Sequence, residues 1–158
     1  MSELGPCFEI AHLGHVEMFT DRFGESLAFF TDVYRLTLTA QDAGSAYLRA
    51  WDDYEFHTLK LTRHTTSWPG RIAYRASSPT ALARRVAVIE ASGYAVHGWT
   101  MGDLGHRRAF GFEDPFGQVF EIYWDTHRCV APPVGRSALK ISRSFITGGA
   151  ARRGGSII

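Results

Sequence analysis

Leu13-Gly14-His15-Val16-Glu17-Met18-Phe19 reads as a strand, and Ser26, Leu27, Phe30, Val33 and Tyr34 follow it at the three/four spacing of an amphipathic helix. The same order returns at an offset of 56 residues, which places His15 on Arg71. There Ile72-Ala73-Tyr74-Arg75 is the strand, and Ser77-Ser78-Pro79 opens a helix with a capping residue and a proline in its first turn. Leu82, Val86 and Ile89 form that helix's apolar stripe, and Gly93 ends it. Extended segments follow each helix: Leu36–Thr39, Ala46–Trp51 and His57–Leu61 after the first, Tyr94–Trp99, Ala109–Phe112 and Val119–Trp124 after the second. Each copy therefore reads β-α-β-β-β. The last hairpins correspond at an offset of 64, with Phe56-His57 on Phe120-Glu121, and the eight extra residues of the second copy fit in Thr100–Arg107.

The expected fold is α+β: two β-α-β-β-β modules, about 8–66 and 67–128, related by a pseudo-dyad and forming an open barrel around a central cavity. Neither module buries its apolar face alone. From 129 to 158 the pattern decays through Pro132-Pro133 and a glycine-rich stretch, as in an extended, partly disordered connector.

The chain's 158 residues, 45% of them apolar and 21% charged, suit one globular domain with a sizeable core. No uncharged apolar run approaches the roughly 20 residues of a membrane span. Met1–Ile10 carries Glu3 and Glu9 where a signal peptide wants a basic start, so the expected address is the cytoplasm. Cys7 and Cys129 form neither a disulfide framework nor a zinc knuckle. Before Arg128 eleven basic residues face sixteen acidic ones; from Arg128 onward six basic residues stand without an acidic one. A body of that sign, with the tail's basic residues spread among Gly, Ser and Ala and a single aromatic, Phe145, excludes nucleic acid as the expected partner.

The repeat defines four equivalent inward slots, at His15 and Arg71 on the first strands and at His57 and Glu121 on the last. By alternation Leu13, His15 and Glu17 share a face, as do His57, Leu59 and Leu61, and Val119, Glu121 and Tyr123. If those faces line the cavity, His15, His57 and Glu121 converge as two imidazoles and a carboxylate, a set suited to non-haem Fe(II) and equally to Zn(II) or Mn(II). The bland readings are a satisfied core histidine at position 15 and an imidazole packed on aromatics at 57. Glu121, in the apolar run Val119-Phe120-Glu121-Ile122-Tyr123, needs a cation when buried. A metal supplies one; so does Arg71, through an ion pair that plugs the cavity. Of the other histidines, His106 alone is placed to overhang it.

His15-Val16-Glu17-Met18, Ser26-Leu27-Ala28-Phe29-Phe30-Thr31-Asp32-Val33, Tyr47-Leu48-Arg49-Ala50-Trp51, His57-Thr58-Leu59-Lys60-Leu61-Thr62 and Asp114-Pro115-Phe116-Gly117 together resemble one family. From about Phe8 to Arg128 the chain resembles the amino-terminal half of the type I extradiol catechol 2,3-dioxygenases, in the vicinal oxygen chelate superfamily. The tail is similar to the connector leading to that family's second domain. The resemblance implies paired β-α-β-β-β modules, Fe(II) as cofactor, self-association, and cleavage of a catecholic ring beside its hydroxyls with insertion of both atoms of O2. In two-domain members the working iron belongs to the carboxy-terminal domain and the amino-terminal domain is a metal-free relative. The family's ligand positions fall here on His15, Arg71 and Glu121, so the middle ligand is an arginine. His57 matches a position where a histidine acts beside the iron as an acid–base group, and a tyrosine of the active domains falls on Gly111. The resemblance thus carries two expectations: a small Fe(II) dioxygenase using His15, His57 and Glu121, or a non-catalytic amino-terminal domain acting in assembly or small-molecule binding.

Overall fold

The computed structural model describes residues 8–130. The elements follow in the order β1 (Ile10–Thr20), α1 (Phe23–Ala28), β2 (Thr37–Gln41), β3 (Ser45–Arg49), β4 (Leu59–Arg63), β5 (Trp68–Ala76), α2 (Pro79–Ser92), β6 (Gly98–Thr100), β7 (Ala109–Glu113) and β8 (Val119–Tyr123). All eight strands join one open mixed sheet in the order β2-β3-β4-β1-β5-β8-β7-β6. That order is symmetric about its centre. β1 pairs antiparallel with β5, and each takes the last strand of its own module as a parallel neighbour, β4 beside β1 and β8 beside β5. The expected repeat and pseudo-dyad are therefore present in the topology. Of the expected tail, only Cys129 and Val130 lie within the described residues.

Each helix covers the outer face of its own module. Under α1, Phe23 packs on Ala46, Leu48, Leu59 and Leu61; under α2, Leu82 and Val86 pack on Ala76, Phe110 and Ile122. α1 opens three residues before Ser26 and continues as a wider π-turn over Phe29–Val33, ending at Arg35 with a positive φ of 65°. α2 starts where its sequence signals it. The Ser78 side chain accepts the Ala81 backbone N–H at 3.0 Å, Pro79 fills the first turn, and Gly93 closes the helix at φ 84°. Replacing Ser78 with alanine is expected to lower stability by about 1 kcal/mol in denaturant titration, with the melting curve still cooperative. Glu9, buried just before β1, is ion-paired with Arg84 and Arg85 of α2 and ties that helix to the central strand.

Two expectations need correction. Tyr94–Trp99 is extended only from Gly98, because the chain turns at Tyr94–Val96 and passes Gly98 at φ 71°. The face containing His57, Leu59 and Leu61 does not point inward as a unit. Leu59 and Leu61 bury against Phe23 under α1, while Lys60 between them faces the cavity beside Glu17. His57 lies two residues before β4, in irregular backbone that releases it from the strand's alternation.

Candidate functional site

The inner face of the sheet is polar at its centre. β1 contributes His15 and Glu17, β4 contributes Lys60, β5 Arg71, and β8 Glu121 and Tyr123. The fifth contribution is the loop between β6 and β7, whose glycines at φ 72° (Gly102) and 84° (Gly105) fold Asp103 and His106 into the cavity. A side chain at Gly105 would strike the Phe56 ring, which fixes how closely this loop approaches the segment carrying His57. The loop is the second module's eight-residue insertion. Asp103 escaped the sequence reading, although an insertion bracketed by glycines and placed over a cavity was the available signal.

Arg71 Nη1 donates to Glu121 Oε1 at 2.7 Å, and Arg71 Nε lies 3.8 Å from Glu17 Oε2. Glu121 is 3% exposed. Its burial in an apolar strand is made tolerable by the guanidinium, and the ion pair is the plug that the fourth slot allowed. Lys60 Nζ donates to Asp103 Oδ1 at 2.5 Å and lies 3.1 Å from Glu17 Oε1, which also accepts from Thr62 at 2.6 Å. Burial works against the Asp103 carboxylate, but the nearness of His15 and the Lys60 ammonium prevails and holds its pKa below the usual carboxylate range. Burial likewise works against the Lys60 ammonium, and the charges of Asp103 and Glu17 raise its pKa regardless.

Three imidazoles cluster in the middle, with His57 stacked on His106 and His15 tilted against both. His15 and His57 have ring centroids 4.3 Å apart, His57 and His106 4.6 Å, and His15 and His106 4.9 Å; His106 also stacks on Tyr123 at 4.3 Å. Desolvation, with the neighbouring imidazoles, depresses His57 to about 2 and His106 to about 4, so both rings are neutral near pH 7. The structure thus places His57 with His15 and His106, and Glu121 with His15 and Asp103. His57 and Glu121 do not share a convergent group among the described residues. The remaining histidines lie elsewhere, His12 on Glu55 and Tyr54, His64 beside Thr66, His97 on Glu113, and His127 at the edge of Phe56.

A ring-cleavage metal at the family's ligand positions does not fit these residues. The position between His15 and Glu121 is a permanently charged guanidinium, and the carboxylate that would ligate is already bonded to it. No catalytic step follows from that slot.

No protein-family model matches the chain. It is 42% identical over 120 residues to a metapyrocatechase of Geobacillus stearothermophilus, covering 76% of this chain and 36% of the relative. It is 34% identical over 133 residues to a protein of Geobacillus genomosp. 3 named manganese-dependent 2,3-dihydroxybiphenyl 1,2-dioxygenase, covering 84% of this chain and 42% of the relative. The chain therefore spans well under half the length of these curated relatives. Among solved structures, homoprotocatechuate 2,3-dioxygenase from Brevibacterium fuscum, in complex with 3,4-dihydroxyphenylacetate, superposes with TM-score 0.73 at 23% identity over 82% of this chain and 41% of that one. The Arthrobacter globiformis enzyme of the same name gives 0.73 at 24% identity over 78% of this chain and 39% of that one. At such identity the likeness establishes the shared fold. No helix among the described residues is long and apolar enough to cross a membrane.

Proposed function

We propose, on the premise that the chain is related to the type I extradiol dioxygenases and corresponds to their amino-terminal domain, that it serves the cleavage of a catecholic ring by O2 as a supporting domain. The Arg71–Glu121 ion pair at 2.7 Å carries this reading, because it closes the slot in which the fold would hold a ring-cleaving metal. The catechol, the O2 and the metal, Fe(II) or the manganese of one relative's name, belong in this reading to the part of such enzymes outside the 36–42% that the chain spans. Neither His15 with Glu121 as iron ligands nor His57 as acid–base group enters it. Self-association and a cytoplasmic address are part of the proposal. Phe29, Val33 and Tyr34, exposed along α1 and its π-turn, support the first.

Oxygen uptake with catechol tests it. The chain alone, reconstituted with Fe(II) under anaerobic conditions, is expected to consume no O2. A chimera in which it replaces the matching segment of the Geobacillus stearothermophilus metapyrocatechase is expected to consume O2 readily. Uptake by the chain alone would make it a dioxygenase in its own right and overturn the proposal, as would a folded chimera that is inert.

A further inference from the structure

The Arg71–Glu121 pair leaves the histidine cluster beside it unexplained. His15 is 1% exposed and His57 is fully buried, yet among the described residues both ring nitrogens of each, together with His106 Nε2, lack a well-formed hydrogen bond. An imidazole needs a donor or acceptor at each nitrogen, and every orphaned buried group costs about 1–3 kcal/mol. Five such atoms in one place is more than packing against Tyr123 accounts for. Asp103 Oδ2, buried and also unpartnered, lies 3.2 Å from His15 Nε2 and 3.9 Å from His57 Nε2. Its other oxygen is held by Lys60, which aims the free one at the imidazoles.

Charge points the same way. Among the described residues, three carboxylates with little exposure, Glu17, Asp103 and Glu121, face two cations, Lys60 and Arg71, in this part of the cavity. One negative charge is left over. A low-dielectric interior stabilises a cation there, provided it finds donors that replace its water.

We infer that His15, His57, His106 and Asp103 form a binding site for a borderline divalent metal ion, Zn(II) in the first place. One ring nitrogen from each histidine lies within 4.8 Å of the other two, and a tetrahedral ion with bonds of about 2.0–2.1 Å would draw them closer together. Imidazole suits Zn(II), whereas the hard cations Mg(II) and Ca(II) prefer oxygen donors. Asp103 Oδ2, 3.2 Å from His15 Nε2 and 3.9 Å from His57 Nε2, would supply the fourth donor, and a tetrahedron so filled has no open position, so the site is structural. It clips the β6–β7 loop, through Asp103 and His106, to β1 and to the segment before β4. The inference goes beyond the supporting role proposed above and fails independently of it.

The test is a calorimetric titration of the chelator-treated chain with Zn(II), paired with the visible absorption of Co(II) in the same site. Expected are one ion per chain, the intense bands of tetrahedral Co(II), and a higher melting temperature with Zn(II). His57→Gln and His106→Gln are each expected to weaken Zn(II) binding about 100-fold or more, since even losing a ligand's supporting partner costs 10–100-fold. His97→Gln, a change at a surface histidine bonded to Glu113, should leave affinity unaltered. His106 is half-buried on a loop, so its variant reports even where the buried His57 variant fails to fold. Absence of tight Zn(II) binding, weak octahedral Co(II) bands, or unchanged affinity in His106→Gln would each overturn the inference.

Discussion

Replacing Glu55 with alanine is expected to lower the unfolding free energy by about 3–5 kcal/mol, because it strands a buried charge. Glu55 is 1% exposed in the segment leading to His57, and its carboxylate gathers three partners from distant parts of the chain. His12 Nε2 lies 2.8 Å from Oε1, Arg75 Nε 3.2 Å from the same oxygen, and the Tyr123 hydroxyl donates to Oε2 at 3.3 Å. Arg75 is 6% exposed, between the rings of Tyr54 and Trp124, with no other carboxylate bonded to it among the described residues. Without Glu55 the guanidinium keeps its burial and loses its counter-charge. Glu55→Gln keeps one acceptor, its amide oxygen, for His12 and Arg75, and turns the other position into an NH2 that can donate to the Tyr123 hydroxyl oxygen; it removes the counter-charge without emptying the site and should cost less than alanine. Urea titration of both variants decides the matter: a loss below about 1 kcal/mol for alanine would mean that water replaces the carboxylate.

The sign of its pH dependence follows. Burial pushes the Glu55 carboxyl up, but the hydrogen bond from His12 and the charge of Arg75 outweigh it and hold the group below its usual value. The contribution is therefore complete at neutral pH and disappears as the pH falls through that lowered value. The alanine variant should lose its disadvantage in acid.

What could be read in advance divides along a physical line. Strand, helix and turn are encoded locally, so the repeat surfaces in apolar spacing, in Ser78 and Gly93 at the ends of α2, and in His15 falling on Arg71. The Arg71–Glu121 pair was readable too, because a carboxylate inside Val119-Phe120-Glu121-Ile122-Tyr123 demands a cation and the repeat names the nearest one. Lys60 and Asp103 were not. Their contact joins residues 43 apart in sequence, and neither has a local signature beyond polarity. Parity misled at β4, where alternation counted through His57 puts Lys60 outside; the backbone before Leu59 is irregular, and the burial of Leu59 and Leu61 on Phe23 sets the strand's faces. Glu55 and Arg75 were hidden for the same reason, since a charge network over a cavity is assembled by the fold.

Gly14→Ala is expected to cost about 3 kcal/mol, at the upper end for one added carbon in a packed interior. A Cβ at this position, in the middle of β1, meets the hydroxyl of Tyr123 and lies 2.7 Å from its Cζ and 2.8 Å from its Cε1. Real atoms do not approach so closely, so strand or ring must move. The ring has no room: Tyr123 is fully buried, His106 stacks on it at 4.3 Å, and its hydroxyl is bonded to Glu55. The strand can give little, since the residues on either side of the Gly14 bulge are paired with β5, Leu13 with Tyr74 and His15 with Ala73, and β4 joins from Val16. The collision rather than any loss of glycine flexibility sets the cost, and a double-mutant cycle separates the two. In a Tyr123→Leu background, itself destabilised by the lost ring, Gly14→Ala should cost less than about 1 kcal/mol, and in Tyr123→Phe an intermediate amount. Equal costs in all three backgrounds would place the strain in the β1 backbone instead.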